Sequence, residues 1–126
     1  MALSRGASSC AIRNVNLSLP ASWEFTGFSQ NGEDGIIDVL LNQLNESNRY
    51  FIEIGASDGL ENNTTWLAMV KRYGGLWIEG DRESSQWCEY IFGSLNYGVE
   101  CICEFINLES ISSLKVKTLY VNPDLF

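Results

Sequence analysis

Two acids and two glycines mark where this chain could most readily do chemistry. Within Tyr50 to Thr64, YFIEIGASDGLENNT, Glu53 interrupts an apolar run, and Gly55 and Gly59 then flank Ala56, Ser57 and Asp58. A carboxylate in such a run is costly to bury without a partner, so Glu53 is a candidate ligand contact. Glycines let the backbone turn tightly and let a ligand approach it closely, while amides opening a following helix offer donors to a polar or anionic group. Glu79 lies about 20 residues beyond Gly59, the interval at which a doubly wound nucleotide-binding fold places the acid that accepts from ribose hydroxyls. Asp81, beyond a turn at Gly80, is the second choice for that task. The plain alternative for Glu79 is a strand-end acid that faces water. There is no histidine, which excludes His-based triads and His-ligated metals. Any general base must be a carboxylate, Tyr, Lys or bound water.

These residues need a scaffold, and the chain supplies an alternating one. Tyr50, Phe51, Ile52 and Ile54 are β-favouring and close together, as in a strand buried on both faces of a parallel sheet. Glu61 to Tyr73 reads as a helix burying Trp66, Leu67, Met69, Val70 and Tyr73, with Lys71 and Arg72 suiting its carboxyl end and Gly74 and Gly75 ending it. Leu76 to Glu79 is a second strand, and Arg82 to Leu95 a second helix with Trp87, Tyr90, Ile91 and Phe92 on its apolar side. Gly98 to Ile106 reads as a third strand and Thr118 to Val121 as a fourth, with Glu109 to Leu114 ambiguous. Upstream, Phe28 to Leu44 reads as a helix capped by Ser29 or Asn31, with Glu33 and Asp34 in its first turn and Ile36, Ile37, Leu40, Leu41 and Leu44 on one face. Asn45 to Arg49 is a polar connector. Strands alternating with helices across short turns predict an α/β fold with a parallel sheet and right-handed crossovers.

Spacing narrows the ligand. A dinucleotide fingerprint wants glycine at the first, third and sixth positions, but counting from Gly55 these hold Gly55, Ser57 and Leu60. Glu53, Gly55 and Gly59 instead match acidic-x-Gly-x-x-x-Gly, motif I of class I S-adenosylmethionine-dependent methyltransferases. SQNGEDGI at 29–36, FIEIGASDGLENNT at 51–64 and GLWIEGD at 75–81 resemble, in order and spacing, the FkbM-like branch of that family. The resemblance covers roughly Phe28 to Asp81.

That resemblance implies a Rossmann-like, mostly parallel sheet with flanking helices. It would be incomplete, with about four of the family's seven strands: a leader at 1–27, then a partial methyltransferase domain at 28–126. The implied cofactor is S-adenosylmethionine, with Glu53 near its methionine moiety, the backbone of Gly55, Ala56, Ser57 and Gly59 beside it, and Glu79 or Asp81 on the ribose. Gln30, Glu33 and Asp34 match a polar cluster ahead of motif I and would line the site; the alternative for the two acids is helix N-terminal charge. Family members carry an acid-rich segment at the end of the fourth strand. Here Asn122 and Asp124 hold the matching positions, with Asn122 replacing an acid and Pro123 departing from the pattern, which leaves Asp124 as the candidate base. The expected reaction is O-methylation of a small hydroxylated, sugar-like acceptor. A non-catalytic domain that binds the cofactor or a protein partner is the alternative, and an NAD or nucleotide-sugar enzyme is a third reading. Open sheet edges would favour self-association.

Composition sets outer bounds. With 126 residues, 45% hydrophobic and two prolines, the chain has an ordinary globular composition able to bury one core. A net charge of −8 with scattered basic residues argues against nucleic acid or an anionic membrane surface as partner. No apolar run approaches the roughly 20 residues of a membrane span, so a soluble, cytoplasmic protein is expected. Met1 to Trp23 has no acid and lacks the apolar core of about 7 to 15 residues that a secretory signal needs. A transit peptide is one reading of it. The other is an extended leader whose Leu17, Leu19, Pro20 and Trp23 pack on the domain edge, Pro20 blocking a helix. Cys10 and Cys88 stand alone in sequence, and Cys101-x-Cys103 has no second pair at metal-site spacing, so no metal is expected. A redox or metal pair is the alternative to two small apolar residues facing one side of a strand, which would fit a reducing cytosol.

Overall fold

The computed structural model describes residues 13–95, 98–117 and 122–126. Three short strands, each followed by a helix, form its centre. They are β1 (Tyr50–Ile54), β2 (Gly74–Glu79) and β3 (Val99–Cys103), all parallel and in the order β1-β2-β3. Tyr50 pairs with Gly74 and Ile54 with Ile78, while Gly75 pairs with Val99 and Glu79 with Cys103. The helices are α1 (Glu33–Leu41) ahead of the sheet, then α2 (Thr65–Met69), α3 (Arg82–Phe92) and α4 (Leu108–Lys117) after successive strands.

Alternation along the strands sorts the core into two faces. On one, Phe51 and Trp77 pack with Trp66 and Leu67 of α2 and with Cys88 and Phe92 of α3. On the other, Ile52, Leu76 and Ile78 pack with Leu114 of α4. The side switches because the chain reverses direction. From β1 to β3 each strand is added on the same edge, but after α4 the chain passes to the other edge of β1, where Phe51 bridges Leu125 in parallel and the Ile52 amide donates to the Leu125 carbonyl at 3.0 Å. Right-handed crossovers in opposite directions put their helices on opposite faces. The result is a small α/β domain with a three-stranded parallel sheet flanked by helices, consistent with a Rossmann-like arrangement.

Several elements are shorter than hydrophobic periodicity predicts. The helix expected over Phe28 to Leu44 runs only from Glu33 to Leu41, and its N-cap is Gly32 (φ 87°), not Ser29 or Asn31. The reason lies in Asp34, whose buried carboxylate accepts from the amides of Gly27, Phe28 and Ser29 at 2.7–3.0 Å and curls that stretch back on the helix. Ser29 still serves the first turn, its hydroxyl accepting from the Asp34 amide at 3.0 Å. The buried side of α1 is Asp34, Gly35, Asp38 and Val39, whereas Leu40 and Leu44 are exposed. Asp38 pairs with Arg13 at 3.2 Å and with Lys71 at 2.8 Å, so a buried charge fastens the incoming chain and the end of α2 to one helix.

The helix expected over Glu61 to Tyr73 is confined to Thr65–Met69, because Asn62 diverts the preceding turn: its side-chain oxygen accepts from the Thr64 and Thr65 amides. The other end closes with Arg72 in the left-handed region (φ 58°) and the Tyr73 amide on the Leu67 carbonyl. Gly74 and Gly75 therefore do not end the helix; they open β2. A Cβ on Gly75 would sit 2.5 Å from the Phe51 ring, so the strand needs glycine there to pack. In α3 the buried residues are Ser85, Cys88 and Phe92, with Ile91 partly packed, while Trp87 and Tyr90, expected on the apolar side, lie 53% and 78% exposed. Asn107, whose side-chain oxygen accepts from the Glu109 and Ser110 amides, starts a helix where the sequence is ambiguous. The fourth strand expected at Thr118 to Val121 lies outside the described residues.

Ahead of α1, Pro20–Trp23 forms a 3-10 turn. Leu17 and Leu19 do not pack on the domain as expected but are 66% and 54% exposed. The anchors there are Arg13, which lies over the Phe25 ring at 4.5 Å, and Phe25 itself, edge-on to Trp66 at 4.6 Å. Of the cysteines, Cys88 does not stand alone: its sulfur is 3.0 Å from that of Cys101.

Gly35 gives the clearest test of this packing. A Cβ there would overlap the Trp23 carbonyl oxygen and come within 2.5 Å of the Phe25 amide nitrogen. Alanine gains about 1 kcal/mol in helix propensity, but overpacking against backbone costs on the order of 1–3 kcal/mol or more. Gly35→Ala should therefore lower the denaturation midpoint, and a midpoint at or above wild type would show that the 23–25 segment does not press on α1.

Candidate functional site

The glycine turn between β1 and α2 stands at the carboxyl ends of the strands, where ligands bind in open α/β sheets. Gly55, Ser57 and Gly59 all have positive φ (79°, 54° and 80°). The two glycines answer different needs. A Cβ on Gly59 would meet the Phe92 ring at 2.7 Å and the Cys88 sulfur at 3.1 Å, so Gly59 is required by packing as well as conformation. At Gly55 a Cβ would meet nothing within 4 Å, so the backbone there borders open space.

The turn is not the open cradle of amides that the sequence suggests. Gly55 and Ala56 donate to the Ile78 carbonyl at 2.8 and 3.3 Å, Gly59 to Ala56, and Leu60 to the Asp58 side chain. The Ser57 amide donates to Glu79 at 2.7 Å, and the second oxygen of Glu79 accepts from the Asp81 amide at 2.8 Å. Glu79 is thus brought directly onto the turn, bonded to the Ser57 amide. Asp81 is not brought to the site in that sense. Its carboxylate caps α3, accepting from the Ser84 amide at 2.8 Å, and that bond holds its carboxyl below the usual range.

Glu53 answers the question its position raises. Its carboxylate accepts from the Thr64 hydroxyl and, at 3.2 Å, from the Asn63 amide, and Thr64 in turn accepts from the Trp77 indole N–H at 2.6 Å. Burial raises its pKa above the ordinary 4.5, and the hydrogen bonds from Thr64 and Asn63 offset part of that rise. Glu53 stands between two spaces. One is a cavity of about 340 Å³ walled by Ile37, Ile52, Ile54, Thr64, Leu125 and Phe126; the other, about 320 Å³, is lined by Ser29, Gln30, Glu33, Gly55, Glu61 and Asn62. A further crevice of about 580 Å³ holds Gln30, Ser57, Asp58 and Glu61. The crevices are rich in carboxylates, and among the described residues no Lys or Arg lines any of these three spaces.

Of the polar cluster on α1 and before it, Gln30 and Glu33 reach this site. Glu33's own amide, and after it the Asn31 amide, hold the Glu33 carboxyl below its usual range. Asp34 does not line it: fully buried, it organises the loop that carries Gln30. Asn122 and Asp124 are not brought to the site either. The Asp124 amide donates to the Tyr50 carbonyl at 2.8 Å, which fixes it at the amino end of β1, three residues or roughly 10 Å of strand from Glu53. Its carboxylate accepts from the Ser47 hydroxyl and the Asn48 and Arg49 amides, and the Asn122 carbonyl accepts from the Asn48 side chain. Burial alone would raise the Asp124 pKa, but the hydrogen bonds outweigh it and hold the carboxyl low. The residues of that segment that do meet Glu53's cavity are Leu125 and Phe126. Asn62, Asn63 and Thr64 were missed as site residues because they fall inside an apparent helix. The signal for them was a run of side chains that favour turns over helix interiors.

The fold and this site define a small α/β domain with an acid-lined crevice at the carboxyl end of β1. No family model, curated protein or solved structure matches the chain. Among the described residues there is no cluster of His, Cys, Asp or Glu able to hold a metal ion, and no helix is long and apolar enough to cross a membrane.

The two carboxylates at opposite ends of β1 should titrate in opposite senses. For Glu53 the folded pKa is raised, so its stabilising contribution is complete below about pH 4.5 and is lost as pH rises through the raised value. Wild type should gain stability relative to Glu53→Gln on acidification from neutral pH; a constant difference would contradict the burial of this carboxyl. For Asp124 the folded pKa is depressed, so its contribution holds above about pH 4 and is lost as pH falls. Asp124→Asn should therefore lower the melting temperature at pH 7, with the deficit closing in acid. A deficit independent of pH would mean that charge plays no part in this clasp.

Proposed function

We propose that the chain is the cofactor-binding part of an S-adenosylmethionine-dependent methyltransferase of the FkbM-like type, acting on a hydroxyl of a small, sugar-like acceptor. The observation that carries this reading is the pair of crevices beside the glycine turn, one lined by Glu33, Glu53 and Glu61 and the other by Asp58 and Glu61, with no Lys or Arg among the described residues that line them. Such walls repel a pyrophosphate and attract a cationic or neutral polar ligand. Turn amides already bonded within the protein point the same way, because a dinucleotide would need them free.

When bound, the cofactor supplies a methyl group already activated on a sulfonium centre. The protein's part is to hold and orient. Glu79, at the end of β2, would exchange its bond to the Ser57 amide for bonds from ribose hydroxyls. Glu53, fixed by Thr64 and Asn63, would face the methionine moiety, and the open space at Gly55 would admit the ligand close to the backbone. A cytoplasmic location and some self-association along the outer edge of β3 belong to the same reading.

One observation favours the alternative, a domain that binds the cofactor without turnover. Asp124, the base expected from the family pattern, clasps the 47–49 connector at the far end of β1.

Calorimetric titration with S-adenosylmethionine tests both. Wild type should bind it in preference to NAD, and Glu79→Ala should weaken binding about 10- to 100-fold, the range of roughly 1.5–3 kcal/mol for a hydrogen bond to a charged group. A folded chain that binds no S-adenosylmethionine would end this proposal. Binding that Glu79→Ala leaves unchanged would remove Glu79 from the site.

A further inference from the structure

The sulfurs of Cys88 on α3 and Cys101 on β3 lie 3.0 Å apart, closer than unbonded sulfurs usually pack. A disulfide needs about 2.05 Å, so about 1 Å separates this contact from a bond. The two thiols are unequal. Cys88 is 1% exposed, whereas Cys101 is only partly buried and is the one a small oxidant can reach. Cys88 also forms the floor of the glycine turn, its sulfur 3.1 Å from where a Cβ of Gly59 would stand.

We propose that Cys88 and Cys101 form a reversible dithiol–disulfide site, oxidised by peroxide, whose closure is transmitted to the glycine turn through Gly59. The contact with Cys88 lowers the Cys101 pKa, while the contact with Cys101 and burial raise that of Cys88. Cys101 is therefore the thiolate that reacts first. Its sulfur attacks one peroxide oxygen, the O–O bond breaks, and hydroxide leaves with a proton to form water, giving a sulfenic acid. The Cys88 sulfur then attacks the Cys101 sulfur, the S–O bond breaks, and the thiol proton leaves with the hydroxyl as a second water. Two thiols have lost two electrons, and peroxide has gained them. A dithiol reductant reverses the bond by exchange. Bond formation shifts the Cys88 sulfur from its close-packed place beneath Gly59 and so loosens the packing under the turn.

This inference does not depend on the cofactor proposal, and its test uses the whole chain without ligand. After treatment with one equivalent of hydrogen peroxide and alkylation under denaturing conditions, peptide mapping should find a Cys88–Cys101 linkage that dithiothreitol removes. Amide exchange across Ser57 to Leu60 should be several-fold faster in the oxidised protein than in the reduced one. Both cysteines still alkylated, sulfinic acid at Cys101, or linkage of Cys101 to Cys103 or to a second chain would overturn the site. A Cys88–Cys101 bond with unchanged exchange at the turn would overturn the transmission. Cys101→Ser should leave the protein without the linkage, and because the mapping is done first on wild type, a poorly folded variant does not decide the matter.

Discussion

Three side chains in a row hold the carboxyl end of this sheet together. The indole N–H of Trp77 on β2 donates to the Thr64 hydroxyl, and that hydroxyl donates to Glu53 on β1. Each group solves a problem for the next. A buried indole needs an acceptor, a buried hydroxyl needs both partners, and a half-buried carboxylate needs donors. The chain of bonds also sets the start of α2, since Thr64 is its N-cap position. Strand pairing alone would leave the turn between β1 and α2 free to take several paths. With Glu53, Asn62 and Thr64 engaged, it takes the path that leaves Gly55 facing open space and Glu79 on the turn amide.

Much of this was legible in sequence, and what was not has physical causes. β1 and β2 were readable because both are short, apolar and β-favouring, and the glycine turn because its residues are diagnostic at their spacing. The Glu79 placement followed from interval alone. Helix lengths were overstated because hydrophobic spacing does not register side chains that bond their neighbours' backbone: Asp34 consumes one helix start and Asn62 another. Trp87 and Tyr90 are large and apolar, which suggests an inward face, yet their position on α3 faces away from Phe51 and Trp77, where Cys88 and Phe92 reach. The proximity of Cys88 to Cys101 and the role of Asp124 are non-local, linking residues that no periodicity connects.

Charge is used here in two distinct ways. Asp34, Asp38 and Asp124 are structural, each bound to backbone amides or to cations: Asp38 by Arg13 and Lys71, Asp124 by the 47–49 connector. Glu33, Glu53, Asp58 and Glu61 instead line open crevices with no cation in their walls among the described residues. The separation is spatial as well, because Asp124 sits at the amino end of β1 and the crevice acids at the carboxyl end. A chain with a net charge of −8 therefore concentrates unneutralised acid at one edge of the sheet.

The reversal at β1 also bears on biosynthesis. β1 gains its first neighbour when β2 emerges from the ribosome, but its other edge is met by Leu125, and the clasp beside it joins residues 76 apart. Contacts of such sequence separation form late and slow folding. During translation β1 would thus carry one bare, apolar edge until nearly all of these residues had been made, a period in which pairing with another nascent chain competes with the native partner.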